Sequence, residues 1–189
     1  GGAGIGISAL PNALLRDLTV IDNDNNIGSG GGLYLSGGEF ILQGINIENN
    51  FASEYGGGIE AVYADLILNN VQIINNKSSG SFGVNLTYGL LIYDVGIVAF
   101  NDCINTGNCI GQNAIHAYME IQNVLFYGNS GRAASCYGGG GEICQYDHVT
   151  IVNNGSGLYA GNSDNIVTNS IITGNESWEL CQQGGTFDI

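Results

Sequence analysis

Five cysteines carry the clearest chemistry in this chain. Cys103 and Cys109 form one closely spaced pair, and Cys136 and Cys144 form a second. Each pair could close a short loop as a disulfide, which is typical of proteins in oxidising compartments. Buried, reduced thiols are the alternative. Cys181 is left without an obvious partner.

Asp22 and Asp24 belong to the string DNDNN, whose oxygen atoms are spaced like part of a calcium loop. A complete EF-hand loop needs Gly at its sixth position and Glu at its twelfth, where this chain has Ile27 and Leu33. Asp22 and Asp24 are therefore candidates for a weak Ca²⁺ site only, and we expect no other cofactor. The alternative is an ordinary polar turn.

His116 and His148 are the only histidines, and Asp147 stands directly before the second. This pair invites a Ser-His-Asp hydrolase interpretation, but no GxSxG or comparable nucleophile motif is present. We therefore predict that both histidines are strand-face or corner residues.

Paired carboxyl groups are a further possibility, because a glycosidase needs two of them roughly 5 to 10 Å apart. Asp94 and Glu120 are far apart in the chain but could meet if their segments are spatial neighbours. The pairs that are close in sequence are Asp22 with Asp24, Glu142 with Asp147, and Glu176 with Glu179. Which of these groups meet depends on the elements that hold them.

The composition restricts those elements and their partners. The chain has 189 residues, of which 32 are Gly and 11% are charged, and this disfavours helix. Seventeen acidic and three basic residues give a net charge of −14, which repels nucleic acids and anionic lipid surfaces. No apolar run is long enough to insert into a membrane. The chain starts at Gly1 without Met, so we expect that it has been processed or is an excerpt of a longer protein.

A repeated phrase runs along the whole chain, from triple glycine to paired asparagine. It is clearest in GGGLYLSGGEFILQGINIENN (30–50) and GGGIEAVYADLILNNVQIINN (56–76). Each phrase contains short runs of alternating, β-branched apolar residues, which are typical of strands with one buried face. The phrase ends at Asn anchors that recur at a repeat period of roughly 22 to 28 residues. These anchors are Asn23, Asn49, Asn75, Asn101, Asn129, Asn153 and Asn175.

One unit of this size cannot bury a core alone, but stacked units can. The repeat therefore predicts an all-β, single-stranded parallel β-helix of about seven coils, forming one domain over residues 1–189. Gly and Asn suit the sharp corners of such coils because they tolerate positive φ. Stacked Asn side chains can also hydrogen-bond to each other, so we predict an asparagine ladder at one corner.

The phrase resembles the repeats of right-handed parallel β-helix proteins of bacterial surfaces. FYGN (126–129) is similar to the FxxN motif of polymorphic outer-membrane proteins, and GGAGI (1–5) approximates their GGA[ILV] motif. The resemblance implies a right-handed coil and a secreted or surface location. The same fold hosts adhesins, lyases and hydrolases. For a lyase, the resemblance implies a Lys or Arg residue as the catalytic base. The only residues of these types in the chain are Arg16, Lys77 and Arg132.

We therefore expect a non-enzymatic, extracellular or cell-surface segment that serves as a stalk, an adhesin or a matrix component. Its expected partners are other subunits at the solenoid ends, where strand edges must be covered, and glycans. The alternative function is a carbohydrate-binding or carbohydrate-active domain. Aromatic rings lining one groove beside a close carboxylate pair would favour it. The candidate rings are Tyr55, Tyr63, Tyr88, Tyr93, Tyr118, Tyr137, Tyr159 and Trp178.

Overall fold

In a computed structural model of the chain, the described residues are 4–8, 12–99, 101–103 and 110–189. Regular structure in these ranges is all β-strand, so they contain no helix that could cross a membrane. The strands are β1 (Ile5–Ser8), β2 (Asn12–Arg16), β3 (Thr19–Ile21), β4 (Asp24–Asn25), β5 (Leu33–Glu48), β6 (Phe51–Ala52), β7 (Ile59–Ile74), β8 (Lys77–Ser78), β9 (Ser81–Ala99), β10 (Asp102–Cys103), β11 (Ile110–Tyr127), β12 (Arg132–Tyr137), β13 (Ile143–Asp147), β14 (Thr150–Val152), β15 (Ser156–Thr168), β16 (Ile171–Thr173) and β17 (Leu180–Asp188).

The strands form a parallel β-solenoid of about six turns, which confirms the predicted all-β coil architecture. In the larger sheet β5, β7, β9 and β11 lie side by side in chain order, because each belongs to the next coil. A smaller sheet stacks the two-residue strands β4, β6, β8 and β10. Every pairing among the described strands is parallel, as expected when each coil repeats the path of the one before.

The described coils bend at three corners, and most of these corners have one residue with a positive φ. Corner A contains Gly37, Tyr63, Tyr88, Asn162 and Gly184. Corner B contains Asp17, Gly44, Asn70, Val95, Asn123, His148 and Asn169. Corner C contains Asp22, Asn49, Asn75, Gly128, Asn153 and Gly174. Most of these residues are Gly, Asn or Asp, which tolerate the left-handed region best.

Between the corners, alternate residues point into the solenoid and stack with their counterparts in the next coil. The register aligns them coil by coil, and this produces continuous buried rows. One row on the strand before corner C contains Val20, Ile47, Ile73, Val98, Phe126 and Ile151. Since the core is shared between coils, each coil depends on its neighbours for burial.

A ladder of asparagines follows directly after corner C, as the repeat predicted, but the prediction named the wrong Asn in three coils. Asn49, Asn75 and Asn153 occupy the left-handed corner itself. In those three coils the ladder uses the second residue of the NN pair. Its members are Asn23, Asn50, Asn76, Asn101, Asn129, Asn154 and Asn175. Its true spacings are 27, 26, 25, 28, 25 and 21 residues.

The ladder satisfies several backbone groups at every step. The Oδ1 of Asn76 accepts from both the backbone N (3.0 Å) and the Nδ2 (2.9 Å) of Asn50. The Nδ2 of Asn50 also donates to the Val20 carbonyl at 2.9 Å. Because Asn50 and Asn76 are buried, water cannot reach these groups, and without the ladder they would have no hydrogen-bond partner. The ladder therefore satisfies the backbone polar groups at this corner.

Glu179 occupies the last step of the ladder. One of its carboxylate oxygens accepts from the backbone N of Asn175 at 3.4 Å, and the other accepts from the Asn175 Nδ2. In the earlier coils, the same two donors, the backbone N and the Nδ2 of a ladder Asn, bond to the Oδ1 of the next ladder Asn. A charged side chain therefore replaces the amide at this end.

Candidate functional site

The disulfide between Cys136 and Cys144 is confirmed. Both side chains are fully buried, with a Cα–Cα distance of 6.4 Å, and they join β12 to β13. The intervening residues 138–142 form the long connection that replaces corner A in this coil. The disulfide therefore holds a lengthened corner against the core. Among the described cysteines, Cys181 has a free, half-buried thiol. In the strand register it is opposite Tyr159 of the neighbouring coil.

Three other residues of predicted interest have no described side chain. Cys109 lies outside the described residues, and only the backbone is described for Cys103 and His116. The Cys103–Cys109 disulfide therefore stays a prediction, and so does the position of the His116 ring.

The calcium candidates are adjacent to corner C. Asp22 is the left-handed corner residue and Asp24 lies in β4, and both are exposed. Within the described ranges no group of three or more His, Cys, Asp or Glu side chains is gathered to hold a metal ion. The position of Asp22 agrees with the polar-corner alternative, and the weak calcium site stays a prediction.

His148 is a corner residue, as predicted, with a φ of 51° at corner B. Its ring Nδ1 lies 2.8 Å from an Asp147 carboxylate oxygen. The other Asp147 oxygen accepts from the Thr168 hydroxyl (2.7 Å) and from the Asn169 Nδ2 (2.9 Å). These hydrogen bonds, with that of Thr168 first, lower the pKa of Asp147 to about 2. The Thr168 hydroxyl therefore donates to Asp147, and these contacts place no nucleophile beside the His148 ring.

The other carboxylate candidates are held in structural contacts or are offset from each other. Glu120 is opposite Ile92, whereas Asp94 is opposite Gln122, so this pair is displaced by two positions. Glu142 accepts from the backbone N–H groups of its own loop.

Tyr63 and Tyr88 form the feature that best fits a binding site. They occupy corner A in adjacent coils, and their rings are stacked with centroids 5.0 Å apart and planes within 4°. The two side chains are 67% and 44% exposed. Exposed rings held in a fixed stack present flat apolar faces to solvent.

A groove of about 600 Å³ opens beside the two tyrosines. Its other lining residues are Asn12, Gly38, Glu39, Asp65 and Gly89. Glu39 and Asp65 are direct neighbours in the register of β5 and β7, so two carboxylates flank the rings. One Asp65 oxygen accepts from the Leu90 backbone N at 2.9 Å. The sequence contains both tyrosines as candidates, but it does not reveal that they stack beside these acids.

The remaining aromatic candidates have other environments. The Arg132 guanidinium lies 4.2 Å from the Tyr159 ring centroid and 5.9 Å from that of Trp178. Tyr137 stacks on Tyr159 at 5.7 Å. The Tyr159 and Trp178 rings therefore hold the Arg132 guanidinium of the chain itself. Tyr93 is fully buried in the core.

Glu60 is a buried carboxyl group that the sequence pattern does not single out. It lies on β7, and the Asn85 Nδ2 in the next coil donates to both of its oxygens at 3.1 and 3.0 Å. Burial raises the pKa of Glu60 to about 7, against the lowering effect of Asn85. The sequence signal for this buried acid is one Glu between the apolar residues Ile59 and Ala61 of a strand.

No protein-family model, no curated protein and no solved structure matches this chain.

Proposed function

We propose that this chain is a non-enzymatic, extracellular segment of a β-solenoid that serves as a surface stalk, an adhesin or a matrix component. The asparagine ladder carries the proposal, because its hydrogen bonds run from Asn23 to Asn175 without a break. A continuous ladder above a shared core couples each coil to the next. Such a rod suits a structural role.

Two observations support an extracellular or cell-surface location. The Cys136–Cys144 disulfide is typical of oxidising compartments. The repeated phrase, including FYGN at 126–129, supports the bacterial-surface type that is similar to polymorphic outer-membrane proteins. Labelling of native cells with an antibody to this chain tests the location. We expect signal on intact cells, and signal seen only after permeabilisation would contradict the proposal.

Other subunits are the proposed protein partners. Among the described strands, β1 pairs only with β5 and β17 only with β15, so each has one edge free of strand pairing. Such edges favour pairing with another chain. Analytical ultracentrifugation over a wide concentration range should show reversible association, whereas a monomer at high concentration would contradict it.

A carbohydrate-binding or carbohydrate-active domain is the second candidate, and the groove beside Tyr63 and Tyr88 favours it. Stacked rings beside two carboxylates match the arrangement expected for sugar recognition. The observation supports binding; cleavage would additionally require one of the two carboxyl groups to donate a proton. Binding of the full chain to immobilised glycans tests this candidate.

A further inference from the structure

Corner A has an open position directly beside the tyrosine stack. The register places Gly37 opposite Tyr63, since Ser36 pairs with Val62 and Gly38 with Ala64. Gly37 has no side chain, and an atom added at its Cβ position would meet no atom of the described residues within 4 Å. The coil before Tyr63 therefore lacks the ring that would continue the stack.

The missing ring position has the right spacing for a ligand. Tyr63 and Tyr88 repeat at 5.0 Å, close to the separation of about 4.8 Å between neighbouring strands. One face of Tyr63 contacts Tyr88, so its other face is directed toward the coil of Gly37. A flat ring seated over Gly37 would stack on that face as the next member of the series.

Polar groups surround this open position, which we call the Gly37 slot. Glu39 follows two residues after Gly37, Asp65 is its neighbour in the next coil, and Asn12 is opposite Glu39 in the preceding coil. All three residues line the groove. Carboxylates accept hydrogen bonds from hydroxyl or ammonium groups, and the amide both donates and accepts. Together with the net charge of −14, they disfavour an anionic ligand.

The backbone supports a role for the rings themselves. Tyr63 and Tyr88 have φ values of 51° and 58°, although a bulky side chain disfavours this region. Other coils place Gly37, Asn162 and Gly184 at the same corner. Val95 shows that the fold accepts strain elsewhere, so strain alone identifies nothing. Here it coincides with a parallel, exposed ring pair bordering a groove.

We propose that the Gly37 slot binds one pyranose unit of a neutral or amino-substituted glycan. The C–H face of the sugar stacks on the outer face of Tyr63. Its hydroxyl or ammonium groups donate to Glu39 and Asp65, and Asn12 contacts its edge. This inference rests on the second proposed function, carbohydrate binding, and specifies its position and ligand class.

Isothermal titration calorimetry on the full chain tests the slot with three probes: cellotetraose, the glucosamine tetramer of chitosan, and tetragalacturonate. We expect binding of the neutral or the cationic tetramer and none of the anionic one. Tyr63→Ala should weaken binding at least tenfold by removing the stacking face. Gly37→Asn should do the same by filling the slot, with a residue that tolerates positive φ.

Two matched variants serve as controls, and both should bind within twofold of the wild type. Tyr118→Ala removes another exposed tyrosine, which is 56% exposed and does not line the groove. Gly140→Asn adds the same side chain at another positive-φ glycine with open space around it. Circular dichroism verifies that each variant is folded.

The outcomes separate the slot from the function on which it rests. If none of the tetramers binds and an array of neutral and amino glycans gives no signal, both are overturned. If a glycan binds with an affinity that Tyr63→Ala and Gly37→Asn leave unchanged, carbohydrate binding stands and the Gly37 slot is overturned. Preference for tetragalacturonate would overturn the assigned ligand class.

Discussion

Corner C and corner A of the solenoid solve the same geometric problem with different residues. At corner C a positive-φ residue is followed by a ladder asparagine in coil after coil, and the ladder is buried from Asn50 to Asn154. At corner A the positive-φ position changes from Gly37 to Tyr63 and Tyr88, and the rings are exposed. In one coil corner A is replaced by a long, disulfide-bonded connection.

The difference between the two corners distinguishes residues that stabilise the fold from residues that are free to bind a ligand. A buried corner must satisfy the same backbone groups in every coil, so the same side chain recurs there. An exposed corner has water as an alternative partner, so its side chains can differ. Repetition therefore marks the residues that hold the coils together, and departure from it marks candidate binding residues.

The largest effect should follow a break in the ladder. Asn76→Ala removes the acceptor for two Asn50 donors and the donor to the Ile47 carbonyl. Since these groups are buried, we expect the free energy of unfolding to fall by roughly 3 to 5 kcal/mol. Urea unfolding followed by circular dichroism measures it.

The neighbouring asparagine provides a matched control. In Asn75→Gly the new residue reaches the corner φ of 53° without strain, so the effect should be within about 1 kcal/mol. Equal losses for Asn75→Gly and Asn76→Ala would contradict the assignment of the ladder to the second Asn.

A pH-dependent effect should follow from the buried Glu60. Its pKa is raised to about 7 from an ordinary 4.5, so the folded state binds the proton more tightly than the unfolded state. This contribution is fully present below pH 4.5 and is lost as the pH rises to 7, by about 3 kcal/mol. In Glu60→Gln the decline should be absent.

The readout is the difference in unfolding free energy between wild type and Glu60→Gln at several pH values, which removes effects common to both. Asp65→Asn, at an exposed carboxylate of the same strand, is the control for the loss of one acidic side chain. A wild-type minus Glu60→Gln difference that does not change between pH 4.5 and 7 would show that this burial has no energetic consequence.

A smaller effect distinguishes two buried tyrosines of the same core row. The Tyr93 hydroxyl donates to the Val71 carbonyl at 2.7 Å, whereas the Tyr146 hydroxyl has no hydrogen-bond partner among the described residues. Tyr93→Phe should therefore destabilise the fold by about 1 kcal/mol, and Tyr146→Phe should be neutral or stabilising. Thermal unfolding of both variants checks the order, and the reverse order would contradict it.

The smallest effect should be at corner A. Tyr63→Asn loses the ring stack, worth about 0.5 to 1.5 kcal/mol, but relieves a comparable strain at positive φ. We expect the free energy of unfolding in urea to change by less than about 1 kcal/mol, because these two contributions oppose each other. A loss as large as that of a buried ladder asparagine would mean that the tyrosines are needed for folding, and the contrast between the two corners would not hold.

The sequence predicts the coil well because period-two apolar runs, combined with a repeat long enough for one coil, have few other solutions. It also predicts the Cys136–Cys144 disulfide, since the two residues flank one loop. It misplaces the ladder because both members of an NN pair tolerate a corner. Only the register shows that Asn49 turns the chain and Asn50 bonds to the next coil.

The candidate site depends on registers that the repeat leaves undetermined. Tyr63 lies opposite Tyr88 because the coil that joins them is slightly shorter than the coil between Gly37 and Tyr63. Glu60 is buried on β7, where Asn85 of the next coil donates to both of its oxygens. Neither fact follows from residue type, because each depends on which residues of the next coil the register places opposite.

The asparagine ladder also has a chemical direction. From one ladder side chain to the next, each Nδ2 donates to the Oδ1 of the following coil, so within the described residues the Asn23 Oδ1 is the terminal acceptor and the Asn175 amide is the terminal donor. Two copies could continue the ladder only head to tail, because like ends would oppose two acceptors or two sets of donors. Any filament built this way would therefore be polar. At the Asn175 end, the acceptor of an incoming copy would also have to displace the Glu179 carboxylate, which already bonds to both Asn175 donors.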